Sequence, residues 1–274
     1  VAGLFLERFM DLKDDIIKLN DVTAESHFSR SYLGLSQIGE KCHRKLQYDH
    51  YWCYTQKISA RIQRLFNVGH DAEPSLIAAL KTIGIAVTDD QKTIEGTAGH
   101  WAGHIDGIGH RNGDQFLVEF KTHNEKSFND LLKKKVKVSK PGHYGQMTAY
   151  MDGLGFEGGL YVAINKNTSE IYLEWIELDP EYAKELKRKQ FEIITADTLL
   201  PRIGNNSPAW FECKFCSASE VCFNKEPLAN NCRNCQHVNV LDKGKWECDL
   251  QKKELSHQEQ IDACGKYTKS EMFI

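Results

Sequence analysis

Arg111-Asn112-Gly113-Asp114 constrains this 274-residue sequence more than any other stretch. Asn-Gly between two apolar runs is a strong hairpin signal, because both central residues of a tight two-residue turn take positive φ. Beyond the turn the residues alternate: Phe116, Val118 and Phe120 point one way, and Leu117, Glu119 and Lys121 the other. Glu119 and Lys121 therefore share a face. Before the turn, Gly103-His104-Ile105-Asp106-Gly107 reads as strand, and the hairpin can bring Asp106 to that same face. Two carboxylates and one ammonium then converge on one small volume. A hairpin with a surface Glu-Lys pair would carry the same letters, so the flanking segments have to discriminate.

The convergence suits phosphodiester hydrolysis. Magnesium and manganese prefer oxygen ligands. A bound metal acidifies a water molecule and screens phosphate charge. Lys121 would orient the attacking water or stabilise the negative charge that develops.

The rest of the chain reads as an α/β core with a mixed sheet. Phe5, Phe9, Leu12, Ile16 and Leu19 are spaced for an amphipathic helix over 4–19. Ser36 is an N-cap candidate for a segment that holds Cys42-His43-Arg44-Lys45-Leu46. Residues 61–82 read as a long helix, with Ile62, Leu65, Phe66, Ala72, Leu76, Ile77 and Leu80 on its buried side. Gly69 and Glu73 lie four apart on one face, while His70 points about a quarter-turn away. From there Glu73 could reach a metal at Asp106 and Glu119; a solvated helix Glu is the simpler alternative. Short strands are expected at 85–87 and 93–94.

Lys126, Lys133, Lys134, Lys135, Lys137 and Lys140 then crowd one stretch, with a helix expected from Ser127 to Val136. Such runs are usually solvated faces, but beside a phosphodiesterase site this one reads as a cradle for a DNA backbone. Pro141 opens a further helix on which Gln146 and Tyr150 share a face and could position a phosphate or a stacked base. Strands at 159–165 and 170–177 and a charged helix over 180–199 follow. Gly204-Asn205-Asn206-Ser207-Pro208 is a linker signal.

The net charge of −3 means that any contact with nucleic acid must come from a local basic patch. No apolar run is long enough to span a bilayer. Val1–Asp11 mixes apolar residues with Glu7 and Arg8, unlike a signal peptide, so a cytoplasmic protein is expected. The absence of Gly-x-Gly-x-x-Gly and phosphate-loop patterns argues against a nucleotide or flavin redox enzyme. Nine cysteines, seven of them beyond the linker, favour metal over disulfides, since two Cys-x-x-Cys pairs stand in a chain without an export signal.

Gly69 with Glu73, Gly103 with Asp106, Glu119 with Lys121, and Gln146 with Tyr150 stand in the order and spacing of the PD-(D/E)XK nuclease superfamily. The chain resembles its RecB-like branch, which includes CRISPR-associated and phage exonucleases, over residues 33–225. Here the Asp precedes Gly107 rather than following Pro, as is usual in that branch. Many relatives carry His at the Glu73 position; here His70 lies three residues earlier and is held as its substitute.

The resemblance implies a restriction-endonuclease-like core, a mixed central sheet flanked by helices. It implies magnesium or manganese on Glu73, Asp106, Glu119 and the backbone carbonyl of Phe120, with Lys121 assisting the water. DNA would be held by Gln146, Tyr150, Lys133, Lys134, Lys135 and Lys137. The implied activity is exonucleolytic, on DNA ends or single strands, in a bacterial or phage setting with a recombination, replication or CRISPR-adaptation partner. A non-catalytic DNA- or partner-binding protein on an idle nuclease fold is the alternative.

An iron–sulfur subset of the branch has one upstream Cys and a C-terminal Cys-x2-Cys-x5-Cys. Cys42 and then Cys213, Cys216 and Cys222 match that pattern. Four thiolates suit a [4Fe-4S] cluster, or zinc on the same ligands. The chain therefore divides into a nuclease domain over 1–225 and a small cysteine-rich module over 226–274. In the module, Cys232, Cys235, Cys248 and Cys264 read as a zinc-ribbon-like site, with His237 and His257 as replacement ligands. So short a segment builds little core, and a metal would supply its fold. Cys53 is left as a buried thiol.

Overall fold

The computed structural model describes residues 23–26, 30–88 and 92–273. The helix expected over 4–19 lies outside the described residues. The strands are β1 (Thr23–Ser26), β2 (Leu33–Gly34), β3 (Gln56–Ser59), β4 (Ala86–Thr88), β5 (Thr93–Glu95), β6 (Trp101–His104), β7 (Gly107–Arg111), β8 (Asp114–His123), β9 (Gly158–Asn165) and β10 (Ile171–Glu177). In the C-terminal region β11 (Val238–Val240), β12 (Trp246–Cys248) and β13 (Lys253–Glu254) follow. The helices are α1 (His43–His50), α2 (Ala60–Thr82), α3 (Glu125–Ser139), α4 (Pro141–Leu154), α5 (Pro180–Thr195), α6 (Phe211–Lys214), α7 (Ser219–Cys222) and α8 (His257–Asp262).

The main sheet has the order β10-β9-β8-β7-β4. Its β8 and β9 are parallel, joined by a crossover through α3 and α4, and its other pairs are antiparallel. The expected hairpin forms: Asn112 and Gly113 take φ of 54° and 93°, the left-handed conformation that this turn demands. Alternation along β8 divides the core. Phe116, Val118 and Phe120 pack with Leu76 and Leu80 of α2. Leu117 faces the other way, into the cluster built with Phe128, Leu131 and Met147 of α3 and α4 and with Ile193 of α5.

Two expectations are corrected. The segment that holds Cys42 does not open on Ser36; that residue lies in a 3-10 turn, Leu35–Gln37, and α1 is capped by Cys42. The buried stripe foreseen along 61–82 is confined to the last turns of α2, where Leu76 and Leu80 are buried. Leu65 and Phe66 are exposed. Pro74 lies at the changeover, where it cannot donate to the carbonyl one turn back. The N-terminal half of α2 therefore overhangs the sheet rather than lying on it.

β6 does not continue into β7. It pairs with β5 and β2 in a separate three-stranded sheet, so the chain changes sheets at Ile105 and Asp106. Tyr150 of α4 packs directly on β6: a Cβ on Gly103 would lie 2.5 Å from its hydroxyl.

The C-terminal residues form their own sheet, β11-β12-β13, yet share a core with α1 and α7. Tyr48, Tyr51, Cys53, Val221, Trp246 and Phe273 are one buried cluster. The Gly244 amide donates to the Ala98 carbonyl at 2.8 Å and the Ala229 amide to the Cys53 carbonyl at 2.9 Å. Cys53 is fully buried, as expected. Among the described residues no helix is long and apolar enough to cross a membrane.

The Gly103–Tyr150 contact has a direct test. Gly103→Ala should destabilise the fold by about 1–3 kcal/mol through overpacking, measured by urea denaturation. An unchanged midpoint would show that close approach is not what this glycine serves.

Candidate functional site

Asp106 is set by the change of sheets. The β7 ladder stops at the Gly107–Val118 pair, and the next amide on that side of β8 belongs to Phe120. The Asp106 carboxylate takes the missing strand's place, Oδ2 accepting from the Phe120 amide at 2.8 Å. Its position is thus tied to β8 by the backbone rather than by a side-chain rotamer alone.

Glu119 is fully buried. Its Oε1 accepts from the Lys121 ammonium and from Gln146 Nε2, the latter at 2.5 Å. Its Oε2 has no hydrogen-bond partner among the described residues. Burial, with the Asp106 charge adding, pushes its carboxyl up to about 7 against the pull of Lys121 and Gln146. Lys121 also lies 4.0 Å from Asp106 Oδ2. Despite desolvation, the charges of Glu119 and Asp106 hold the ammonium above its ordinary pKa.

The structure brings Asp106, Glu119 and Lys121 together, as the alternation requires. Glu73 joins them across an open cleft lined by Glu73, Asp106, Phe120 and Lys121 among others, with Glu119 buried behind its lining. Burial and then the Asp106 charge raise the Glu73 pKa. His70 Nδ1 lies 3.3 Å from Glu73 Oε1, so the two offered alternatives are partners.

Other expected DNA contacts fall elsewhere. Gln146 and Tyr150 are buried, 6% and 2% exposed, and neither lines the cleft. Lys133, Lys134, Lys135 and Lys137 are exposed but do not line it either. Lys134 pairs with Asp130 at 2.7 Å and Lys137 with Asp179 at 3.2 Å. Lys135 interrupts α3 with a φ of 61°. Lys140 does line the cleft.

A pair of histidines that belongs to none of the sequence motifs, His123 and His143, lies in the same cleft. The Tyr161 hydroxyl lies 2.9 Å from His123 Nε2 and 2.8 Å from His143 Nδ1. A single hydroxyl proton can serve one ring, and the other ring must donate. His123 was within reach of sequence reasoning, because the alternation that links Glu119 to Lys121 extends one step to it. His143 and Tyr161 come from α4 and β9, and no spacing announces them.

The cysteines expected to act together are neighbours. Burial, and then the charges of Cys42 and Cys222, raise the Cys213 pKa. Cys42 likewise acts on Cys216. Arg202 Nε donates to Cys222 Sγ at 3.3 Å. Cys232, Cys235, Cys248 and Cys264 line a second, smaller cavity together with His237. His257 does not line it and stands edge-on to Trp52, ring centres 5.4 Å apart. As the side chains stand, no group of three or more His, Cys, Asp or Glu among the described residues is drawn in closely enough to hold a metal ion.

No protein-family model and no curated protein matches the sequence. Solved structures similar to it include an alkaline exonuclease from Laribacter hongkongensis. That match has 21% identity, covers 60% of this chain and 86% of that one, and has a TM-score of 0.47. A phage-related exonuclease from Haemophilus somnus matches at 17% identity over 46% of this chain and 66% of that one, with a TM-score of 0.38. At these identities and scores the similarity assigns no activity to this chain.

The histidine pair predicts acid sensitivity. Burial, with Lys140 and Lys121 adding, lowers His123 to about 4. Burial, with Lys121, His123 and Lys140 adding, lowers His143 to about 3. Unfolded histidines titrate near ~6.5, so below that pH the unfolded chain takes up protons that the folded chain refuses. Stability should fall as pH drops from ~6.5 towards ~4, by about 1 kcal/mol per histidine at pH ~5.5. Urea midpoints at the two ends of that range measure the loss. His143→Asn should remove its share; an equal slope in the variant would contradict the assignment.

Proposed function

We propose that this chain is a divalent-metal-dependent DNA nuclease of the exonuclease kind, with Asp106, Glu119 and Lys121 at its centre. One observation carries the reading: the fully buried Glu119 carboxylate, which does not itself line the cleft, keeps Oε2 without a partner among the described residues, and its chain neighbours Phe120 and Lys121 line the cleft with Asp106 and Glu73. An unpaired buried carboxylate oxygen is costly. A hard cation, ligated by oxygens, is the group that this donor set fits.

Glu73, Asp106, Glu119 and the backbone carbonyl of Phe120 would hold magnesium or manganese. When bound, the metal lowers the pKa of a water molecule and offsets charge on the phosphate. The chain's own groups do the positioning. Gln146 donates to Oε1 and not to Oε2; it acts on the carboxylate rather than on DNA. The Phe120 amide holds one oxygen of Asp106, Oδ2, and not the other. Lys121 would stabilise the charge that builds on the phosphate oxygens. Arg30 and Lys140, which line the cleft, would take backbone phosphates. Cys42, Cys213, Cys216 and Cys222 would hold a [4Fe-4S] cluster, or zinc, and clamp the start of α1 to α6 and α7.

Cleavage of end-labelled linear and circular single-stranded DNA in manganese tests the activity. The wild type should shorten linear DNA only. Glu119→Gln, which keeps the shape but not the charge, should lower the rate by at least about 100-fold. If neither protein cuts either substrate with its cysteine sites loaded, the chain is a binding protein instead. Gln146→Ala should raise the manganese concentration needed for half-maximal rate by ~10–100-fold; an unchanged requirement would remove its positioning role.

A further inference from the structure

The cysteine-rich module holds a second site that the nuclease reading does not use. Cys232 and Cys235 bracket a 3-10 turn, Cys248 ends β12 and Cys264 follows α8. Three separate segments thus bring four thiols to the lining of one small cavity, whose other walls include Val238, Leu250, Leu255 and Lys266. Burial raises the Cys232 pKa to about 11, and Cys264, Cys235, Cys248 and Glu259 act in the same direction. Rotation about the Cα–Cβ bonds would have to turn the thiols inward for them to close on an ion.

An independent observation lies between the first two thiols. Arg233 is 1% exposed. Its guanidinium lies 3.6 Å from the centre of the Trp52 ring and 4.6 Å from that of Trp246. It donates to Gln260 Oε1 at 2.9 Å, to the His50 carbonyl at 3.3 Å and to the Ser31 carbonyl at 2.8 Å. Each of these partners is neutral, and no carboxylate of the described residues forms an ion pair with it. A buried cation without a counter-charge is costly even after relaxation. Four thiolates around one divalent ion carry two negative charges in excess, next to Arg233 in the chain.

We propose that Cys232, Cys235, Cys248 and Cys264 bind one zinc ion as a four-thiolate structural site whose excess negative charge is the counter-charge of Arg233. Zinc suits the ligands, because soft thiolates in a tetrahedral set with no open position are its structural habit. The site would also brace the nuclease cleft. Arg233 ties the turn to Ser31, beside the cleft residue Arg30, and to the last residue of α1.

Metal analysis of the 274-residue chain tests this with Cys42, Cys213, Cys216 and Cys222 left intact, so that any metal there cancels in the difference. Wild type should carry one more zinc per chain than Cys248→Ser/Cys264→Ser after dialysis against EDTA. Cobalt substitution of wild type, and not of the variant, should give the thiolate-to-cobalt charge-transfer band. Cys264→Ser alone, at an exposed position, guards against misfolding of the double variant and should hold zinc ~10-fold or more weakly in chelator competition. Arg233→Met keeps all four thiols and should also weaken zinc retention by ~10-fold. Equal zinc in wild type and the double variant, a difference in iron instead, or a disulfide among the four cysteines would overturn the site. Unchanged retention in Arg233→Met would overturn the counter-charge.

Discussion

The site depends on one constraint, the burial of an acidic side chain in the middle of the central strand. Glu119 has the sheet on either side and α4 over it, so solvent cannot satisfy its oxygens. Lys121 and Gln146 both settle on one oxygen, and the second is left open. A carboxylate in that situation must take a proton, a cation or a buried water, and its raised pKa is the same fact stated as proton affinity. The parallel β8–β9 pair and its crossover helices exist around this residue. α4 carries Gln146 to it, and Tyr161, its register partner on β9, carries the hydroxyl that orders His123 and His143.

Asp106 shows how a topological detail becomes chemistry. Were β6 and β7 one strand, its side chain would be one more position in a ladder. Because the chain leaves one sheet and enters another at this point, the residue falls at a strand end and its carboxylate bonds the orphaned Phe120 amide. Gly103 belongs to the same arrangement: the close approach of Tyr150 to β6 leaves no room for a side chain there. The glycine and the aspartate, three residues apart, answer two different demands at one junction.

The C-terminal residues were expected as a module beyond the nuclease core, and they do form a separate small sheet. They nevertheless share a buried cluster with α1 and α7, and Arg233 reaches from their first turn into the main body. Unfolding of that region would expose Trp246 and strip Tyr48 of α1 of part of its packing. Its cysteines therefore bear on the same element that Cys42 begins.

Local periodicity made a large part of this legible. A two-residue alternation is a property of the extended backbone, so the shared face of Glu119 and Lys121 followed from the letters, as did the Asn112-Gly113 turn. The same rule reaches His123, had it been carried one residue pair further. Helical spacing located α2 and α4 but could not say how far each lies on the sheet. Leu65 and Phe66 have the spacing of a core stripe and are exposed, because the helix overhangs. Tyr150 has the spacing of a ligand-facing residue and is core, because β6 closes against it. The lysines after Lys121 mark a charged stretch, but only the turn of the chain at α4 decides that Lys140 reaches the cleft and Lys133–Lys137 do not. What the sequence by itself determined is whatever depends on neighbours along the chain: turns, alternation and the spacing of thiols. What the tertiary structure decided is which of those faces meet, because contacts between distant segments arise from the packing of whole elements, and no local period encodes that.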